Sequence, residues 1–156
     1  MPLTFTAELF HWRGPAPHYF LRVPEELVPD LKDAARFVTY GWGMIPCEAV
    51  VGETRFRTSI FPKDGGYLLP VKVVVLNNFG DGMVKQWQKL FFKGRMSSSD
   101  KSINKKDFIK AAQADGFTYA VRLDRKSDVP RVVEEFVRHP GPSFLEVIID
   151  PDAGVY

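Results

Sequence analysis

The run Val71-Lys72-Val73-Val74-Val75-Leu76 leads directly into Asn77-Asn78, and Met83 to Phe92 then come at helical spacing. A continuous β-branched run is the pattern of a strand covered on both faces, as in a parallel sheet; the wall of a barrel alternates instead. Paired asparagines suit a strand exit because they tolerate left-handed backbone. This strand therefore divides the chain. The segment before it is read against an alternating pattern, and the segment after it against buried strands linked by helices.

The first half reads as β-rich with one helix. Leu3 to Trp12 is a strand candidate with Phe5, Ala7 and Leu9 on one face. Gly14-Pro15-Ala16-Pro17 is a turn, and Tyr19 to Val23 the next strand. Pro24 sits where a helix can begin, with Glu25 and Glu26 at the positive end of its dipole. Leu27, Leu31, Ala34 and Ala35 keep helical spacing as far as Phe37, with Pro29 marking a weak point or a kink. Three β segments come after Gly41-Trp42-Gly43: Ile45 to Val51, Thr54 to Phe61 and Tyr67 to Leu76. Turns at Gly52-Glu53 and at Lys63-Asp64-Gly65-Gly66 join them.

The second half reads as α/β. Met83, Val84, Trp87, Leu90 and Phe91 share one helix face. Asn104 is a cap candidate for a helix through Asp107, Phe108, Ile109, Ala111 and Ala112 to Gly116. Thr118 to Leu123 is a strand. Ser127 or Asp128 starts a helix with Pro130 in its first turn and Val129, Val132, Val133, Phe136 and Val137 on its apolar face. Phe144 to Ile149 is the last strand. This order implies parallel pairing with right-handed crossovers.

These residues carry two resemblances. Tyr19 to Leu27, Tyr40 to Pro46 and Phe56 to Lys72 resemble an uncharacterised family of small prokaryotic double-split β-barrel proteins, which implies a fold and no activity. Asn77-Asn78 with Gly82-Met83-Val84 and Gln86-Trp87-Gln88 resembles the thiamine-diphosphate-binding domain of the acetolactate synthase large subunit. That likeness implies thiamine diphosphate and Mg²⁺ as cofactors. It makes Asn77, through its side-chain oxygen, and Phe79, through its carbonyl, the metal ligands, and Asn77, Asn78, Phe79, Met83 and Trp87 the cofactor-binding set. Mg²⁺ is hard and takes six oxygens in octahedral array. The same family opens its motif with an upstream Gly-Asp-Gly and borrows an activating glutamate from another domain. Asp64 lies 13 residues before Asn77 in a turn, and Gly80-Asp81-Gly82 comes after the asparagines. No catalytic residue is assigned, and the chain is not expected to be competent alone. The structural alternative for Asn77-Asn78 is a plain strand exit.

Composition narrows the partners. The chain of 156 residues carries a net charge of +2 with basic and acidic residues interspersed, which gives no argument for nucleic acid. No apolar run approaches the roughly 20 residues that span a bilayer, and no signal peptide is visible. The single Cys47, flanked by Ile45 and Ala49, reads as a buried thiol in a reducing, cytoplasmic setting. His11, His18 and His139 are not at metal-ligand spacing. Ser97-Ser98-Ser99-Asp100 reads as loop, and Trp12, Tyr19, Tyr40 and Trp42 as barrel core and rim, with a small cleft as the alternative. A homo-oligomer and an unidentified small-molecule ligand stay open. The expectation is an α+β chain: a β-barrel-like unit over 1–72, then a partial thiamine-diphosphate-binding α/β half-domain over 73–156. Its alternatives are a non-catalytic small-barrel protein or a chimera of the two families.

Overall fold

The computed structural model describes residues 2–13, 18–97, 99–102 and 105–151. The Gly14 to Pro17 turn, the Asn104 cap, Ser98 and the last residues through Val155-Tyr156 lie outside them. Seven strands form one mixed sheet: β1 (Leu9–Trp12), β2 (His18–Arg22), β3 (Ile45–Val51), β4 (Thr54–Lys63), β5 (Gly66–Asn77), β6 (Tyr119–Leu123) and β7 (Ser143–Ile148). Four helices accompany them: α1 (Val28–Val38), α2 (Gly82–Phe91), α3 (Phe108–Ala114) and α4 (Val129–Arg138). The mixed α+β architecture is thus the one the sequence implies. No helix among the described residues is long and apolar enough to cross a membrane.

β5 is the pivot. Its first half pairs antiparallel with β2 and β4, and its second half, Lys72 to Asn77, pairs parallel with β7 from Ser143 to Ile148. Lys72 faces Tyr19 on one side and Ser143 on the other. β7 therefore takes over the edge that β4 leaves. β6 then pairs parallel with β7, so the parallel order is β5-β7-β6. The strand runs through residues 72 and 73 without a break.

Local chemistry explains the turns and helix starts. Asp64 and Gly65 both have positive φ, 51° and 79°, the pattern of a two-residue hairpin that matches strand twist. Pro29 does not kink a helix: Glu25 to Leu27 form a 3-10 turn, and α1 begins at Val28 with Pro29 in its first turn, where no N–H is needed. Asp107 caps α3, its side chain accepting the N–H of Lys110 at 3.1 Å.

Three apolar clusters fill the interior. Val23, Val28, Leu31, Ile45 and Tyr67 pack under α1. Leu123, Val132, Phe136 and Leu145 join α4 to one face of the parallel strands. On the other face Phe56 meets Ala112, Phe117 and Phe144, with Val73 and Val75 alongside. This last cluster draws on both halves of the chain, so the β3–β4 hairpin and α3 share one core. Their backbones also touch: the Arg57 N–H donates to the Asp115 carbonyl at 2.6 Å.

Several expectations change. The first strand covers only Leu9–Trp12. Leu76 is 60% exposed and Val73 to Val75 are half-buried, because β5 has a strand neighbour on one edge only beyond Lys72. Tyr40 and Trp42 are surface residues; Trp42 is 97% exposed at a turn with φ of 59°. Cys47 is half-buried, and burial pushes its thiol pKa up.

Candidate functional site

Ligands of α/β sheets bind beyond the carboxyl ends of the parallel strands, and in this sheet Asn77 ends β5 there. Alternation along the strands places Val73, Val75 and Asn77 on the same face as Phe144, Glu146 and Ile148. The registers Val75↔Glu146 and Arg122↔Glu146 bring Arg122 to that face too. The apolar layer of Phe56, Phe117 and Phe144 thus gives way to polar groups toward the strand ends.

Glu146 is fully buried. Its Oε1 accepts from Asn77 Nδ2 at 2.6 Å, and its Oε2 accepts from Arg122 Nε at 2.7 Å. The Arg122 guanidinium also lies 3.9 Å from Asp107. The bond to Glu146 holds the arginine pKa further up. Asp107 is pulled down, chiefly by the Lys110 N–H that its cap receives. A buried carboxylate is tolerable only when both oxygens are met, and here an amide and a guanidinium meet them.

The loop after β5 is built by the asparagines. Asn77 Oδ1 accepts the Phe79 N–H at 2.8 Å, and Asn78 Oδ1 accepts the Gly80 N–H at 3.1 Å. These are consecutive Asx turns. They hold Phe79 at φ of 54°, an uncommon conformation for a bulky residue. The Phe79 carbonyl accepts the Lys101 N–H and the Ser99 carbonyl accepts the Asp81 N–H, both at 2.8 Å. Lys105 Nζ sits 4.7 Å from the centre of the Phe79 ring, and Lys101 pairs with Asp81 at 3.3 Å. Gly80 must be glycine-small: a Cβ there would stand 2.9 Å from the Ser99 carbonyl oxygen.

Helix α2 comes next, and its orientation is inverted. Lys85 is buried and Gln88 hydrogen-bonds the buried Ser99. Met83, Trp87, Leu90 and Phe91 face outward, with Trp87 59% exposed and its ring 4.4 Å from that of Phe91. The structure therefore gathers Asn77, Asn78 and Phe79 in one loop and sets Met83 and Trp87 on the neighbouring helix surface.

These contacts bear on the expected Mg²⁺ set. Asn77 Oδ1 and the Phe79 carbonyl each already hold a backbone N–H, two lysines stand near Phe79, and both Glu146 oxygens have partners. Among the described residues no group of three or more His, Cys, Asp or Glu can hold a metal. Asp64 is at the opposite end of β5; 13 residues of strand rise put it about 40 Å from Asn77. Of the expected set the described residues bring Asn77 and Phe79 together but set Asp64 far from them, and no chemical step is derived through the ion.

Sequence reasoning missed Glu146, Arg122 and Lys72. The available signal was a charge inside an apolar strand, which demands a partner. Lys72 is buried and donates to the carbonyls of Phe136 at 3.0 Å and His139 at 2.8 Å, and to Ser143 Oγ at 3.1 Å. Its ammonium thus satisfies the carboxyl-terminal carbonyls of α4 and complements the helix dipole. Burial pushes its pKa down.

Comparison with known proteins gives two family matches. The model described as "Thiamine pyrophosphate enzyme, C-terminal TPP binding domain" matches residues 65–147; thiamine pyrophosphate is thiamine diphosphate. A domain of unknown function, DUF1905, matches residues 5–80. Among curated proteins, the mitochondrial acetolactate synthase of Schizosaccharomyces pombe is 36% identical over 88 residues, 56% of this chain and 13% of that protein. The mitochondrial catalytic subunit from Saccharomyces cerevisiae is 42% identical over 81 residues, 52% of this chain and 11% of that protein. The isozyme 2 large subunit of Escherichia coli is 39% identical over 82 residues, 53% of this chain and 15% of that protein. The chain thus spans no more than 15% of the length of these relatives.

Proposed function

The chain belongs to the family of thiamine pyrophosphate enzyme C-terminal TPP binding domains, and from that membership we propose that it is a non-catalytic derivative of the acetolactate-synthase cofactor domain, built onto a small β-barrel unit. The observation that carries this reading is the state of the asparagine loop. The two oxygens that the family likeness assigns to Mg²⁺ each already accept a backbone N–H, that of Phe79 on Asn77 Oδ1 and that of Lys101 on the Phe79 carbonyl. Glu146, the carboxylate that Asn77 touches, is held between Asn77 and Arg122. The strand that would connect to an upstream aspartate is instead the pivot of the mixed sheet, so Asp64 ends up far from Asn77. Asn77 then acts as a structural hinge: it ends the strand, shapes the turn and satisfies Glu146.

On this reading the acetolactate-synthase-like half is a structural layer for the barrel, and thiamine diphosphate binds weakly at best. Loss of a single ligand or orienting group costs about one to two orders of magnitude in metal affinity or activity, and here several are absent together. Calorimetry of this chain with thiamine diphosphate and Mg²⁺, then a pyruvate-turnover assay, is the test. The expected result is no saturable micromolar binding and no acetolactate. Saturable binding accompanied by turnover overturns the proposal.

A further inference from the structure

The charge of the chain is not evenly spread. Residues 82–106 hold seven of the 21 Lys and Arg and one of the 19 Asp and Glu, so this stretch carries +6 and the rest of the chain −4. The interspersed pattern of the chain as a whole does not hold here. Of the seven, Lys85 is turned inward; Lys89, Lys93, Arg95, Lys101, Lys105 and Lys106 are exposed.

The same stretch begins with the inverted helix α2. Taken at 100° per residue, Leu90, Met83, Trp87, Phe91 and Val84 occupy about a third of the helix circumference. All five are exposed: Met83 by 76%, Leu90 by 68% and Phe91 by 63% among them. Lys85 lies on the opposite side and is buried, and Gln88, at the edge of the apolar arc beside Val84, bonds Ser99. A broad outward apolar face rich in aromatic rings, on a short helix with basic residues after it, is the pattern of a helix that lies in the plane of a membrane interface. Trp and Phe suit the headgroup boundary, and each Lys or Arg near an anionic leaflet adds attraction.

We propose that the outward face of α2 docks on an anionic bilayer surface, with Met83, Trp87, Leu90 and Phe91 entering the headgroup region and the basic stretch 82–106 supplying the attraction. Charge selects this occupant. Two copies of the chain packed through α2 would bring two +6 stretches together, whereas acidic headgroups neutralise one. The helix lies on the membrane and does not span it. At ten residues α2 is about 15 Å long, half a hydrocarbon core.

The test is vesicle binding by the full chain. Trp12→Phe with Trp42→Phe leaves Trp87 as the single indole of the three. Its emission should shift to the blue with vesicles of equimolar phosphatidylcholine and phosphatidylglycerol, and not with phosphatidylcholine alone. Co-sedimentation should weaken as salt rises. Lys93→Glu and Arg95→Glu should each lower partitioning by about five-fold or more, and Leu90→Ser with Phe91→Ser by about ten-fold or more. These positions are exposed, and circular dichroism checks that the variants fold. Equal binding to both vesicle types overturns the proposal, as does wild-type binding by the variants. So does a stable dimer, seen by light scattering without lipid, whose Trp87 emission ignores vesicles. A single-stranded oligonucleotide that displaces the chain from vesicles at lower concentration than its own lipids do would assign the surface to nucleic acid instead.

Discussion

Gly116 packs against the backbone of Arg55 and Phe56, and Gly116→Ala tests whether the two halves of the chain share one core. Gly116 has φ of +97°, a conformation that costs an alanine about 1 kcal/mol. A Cβ there would run into the Arg55 carbonyl oxygen and stand 2.8 Å from Phe56 Cα, both rigid backbone. Relief requires the β4 backbone to withdraw, an overpacking cost of about 1–3 kcal/mol. Withdrawal stretches the Arg57 N–H bond to the Asp115 carbonyl, worth about 1 kcal/mol. It also loosens Phe56 against Phe117, whose rings sit 5.2 Å apart. Together these predict a loss of about 3–5 kcal/mol, a large part of the roughly 5–15 kcal/mol available to a domain. Urea unfolding monitored by far-UV circular dichroism measures it. Gly41→Ala is the control: nothing lies within 4 Å of its added Cβ, and its cost should stay under about 0.5 kcal/mol. A Gly116→Ala variant within about 1 kcal/mol of wild type would refute the shared core.

Single contacts set the other expected outcomes. Trp87→Ala should cost under about 1 kcal/mol by chemical denaturation, because the indole is mostly in water; a loss of about 3–5 kcal/mol would mean a buried helix face. Glu146→Gln keeps the shape but weakens the Arg122 contact and turns an amide N–H toward an existing donor, so a loss of about 2 kcal/mol is expected in the same assay. His139 has its pKa lowered below the ordinary 6.5, first by burial and then by the Lys72 charge. The unfolded chain therefore takes up the proton before the folded one does. Stability should fall as pH drops through the window beneath 6.5, and be unaffected by this group above it. His139→Gln should flatten that slope in urea titrations run at several pH values, and Lys72→Met should reduce it in part.

The fold was legible wherever local chemistry decides. Asp64-Gly65 predicts its hairpin, Pro130 its helix start, and the unbroken Val73-Val74-Val75 run its parallel partner. The placement of α2 was not legible. Its apolar residues have the spacing of a core face, and periodicity alone does not say which side meets the protein; the buried Lys85 and the Gln88 contact to Ser99 decide it, and the Ser99 contact depends on how the loop after the helix folds back. The asparagine pair was found but not its neighbour Glu146, since the contact joins residues 69 apart. Cap choice failed for a similar reason. Asn104 and Asp107 are equally good capping residues, and only the position of Phe108 and Ala112 in the core selects Asp107.

β5 also has a history within each folding event. Its pairing with β4 closes over a two-residue turn and forms fast, while its pairing with β7 joins Lys72 to Ser143, about 70 residues on, and must come late. During synthesis the edge from Val73 to Leu76 is therefore displayed before its partner strand exists. It is continuous, β-branched and uncharged, the kind of edge that recruits strands from other chains. Lys72 at its root, Asn77-Asn78 at its tip and the basic stretch that leaves the ribosome next are the nearest groups that discourage such pairing. Yield of soluble protein should thus depend on the interval between making residue 77 and making residue 148, and a chain slowed in that interval is the one most exposed to aggregation.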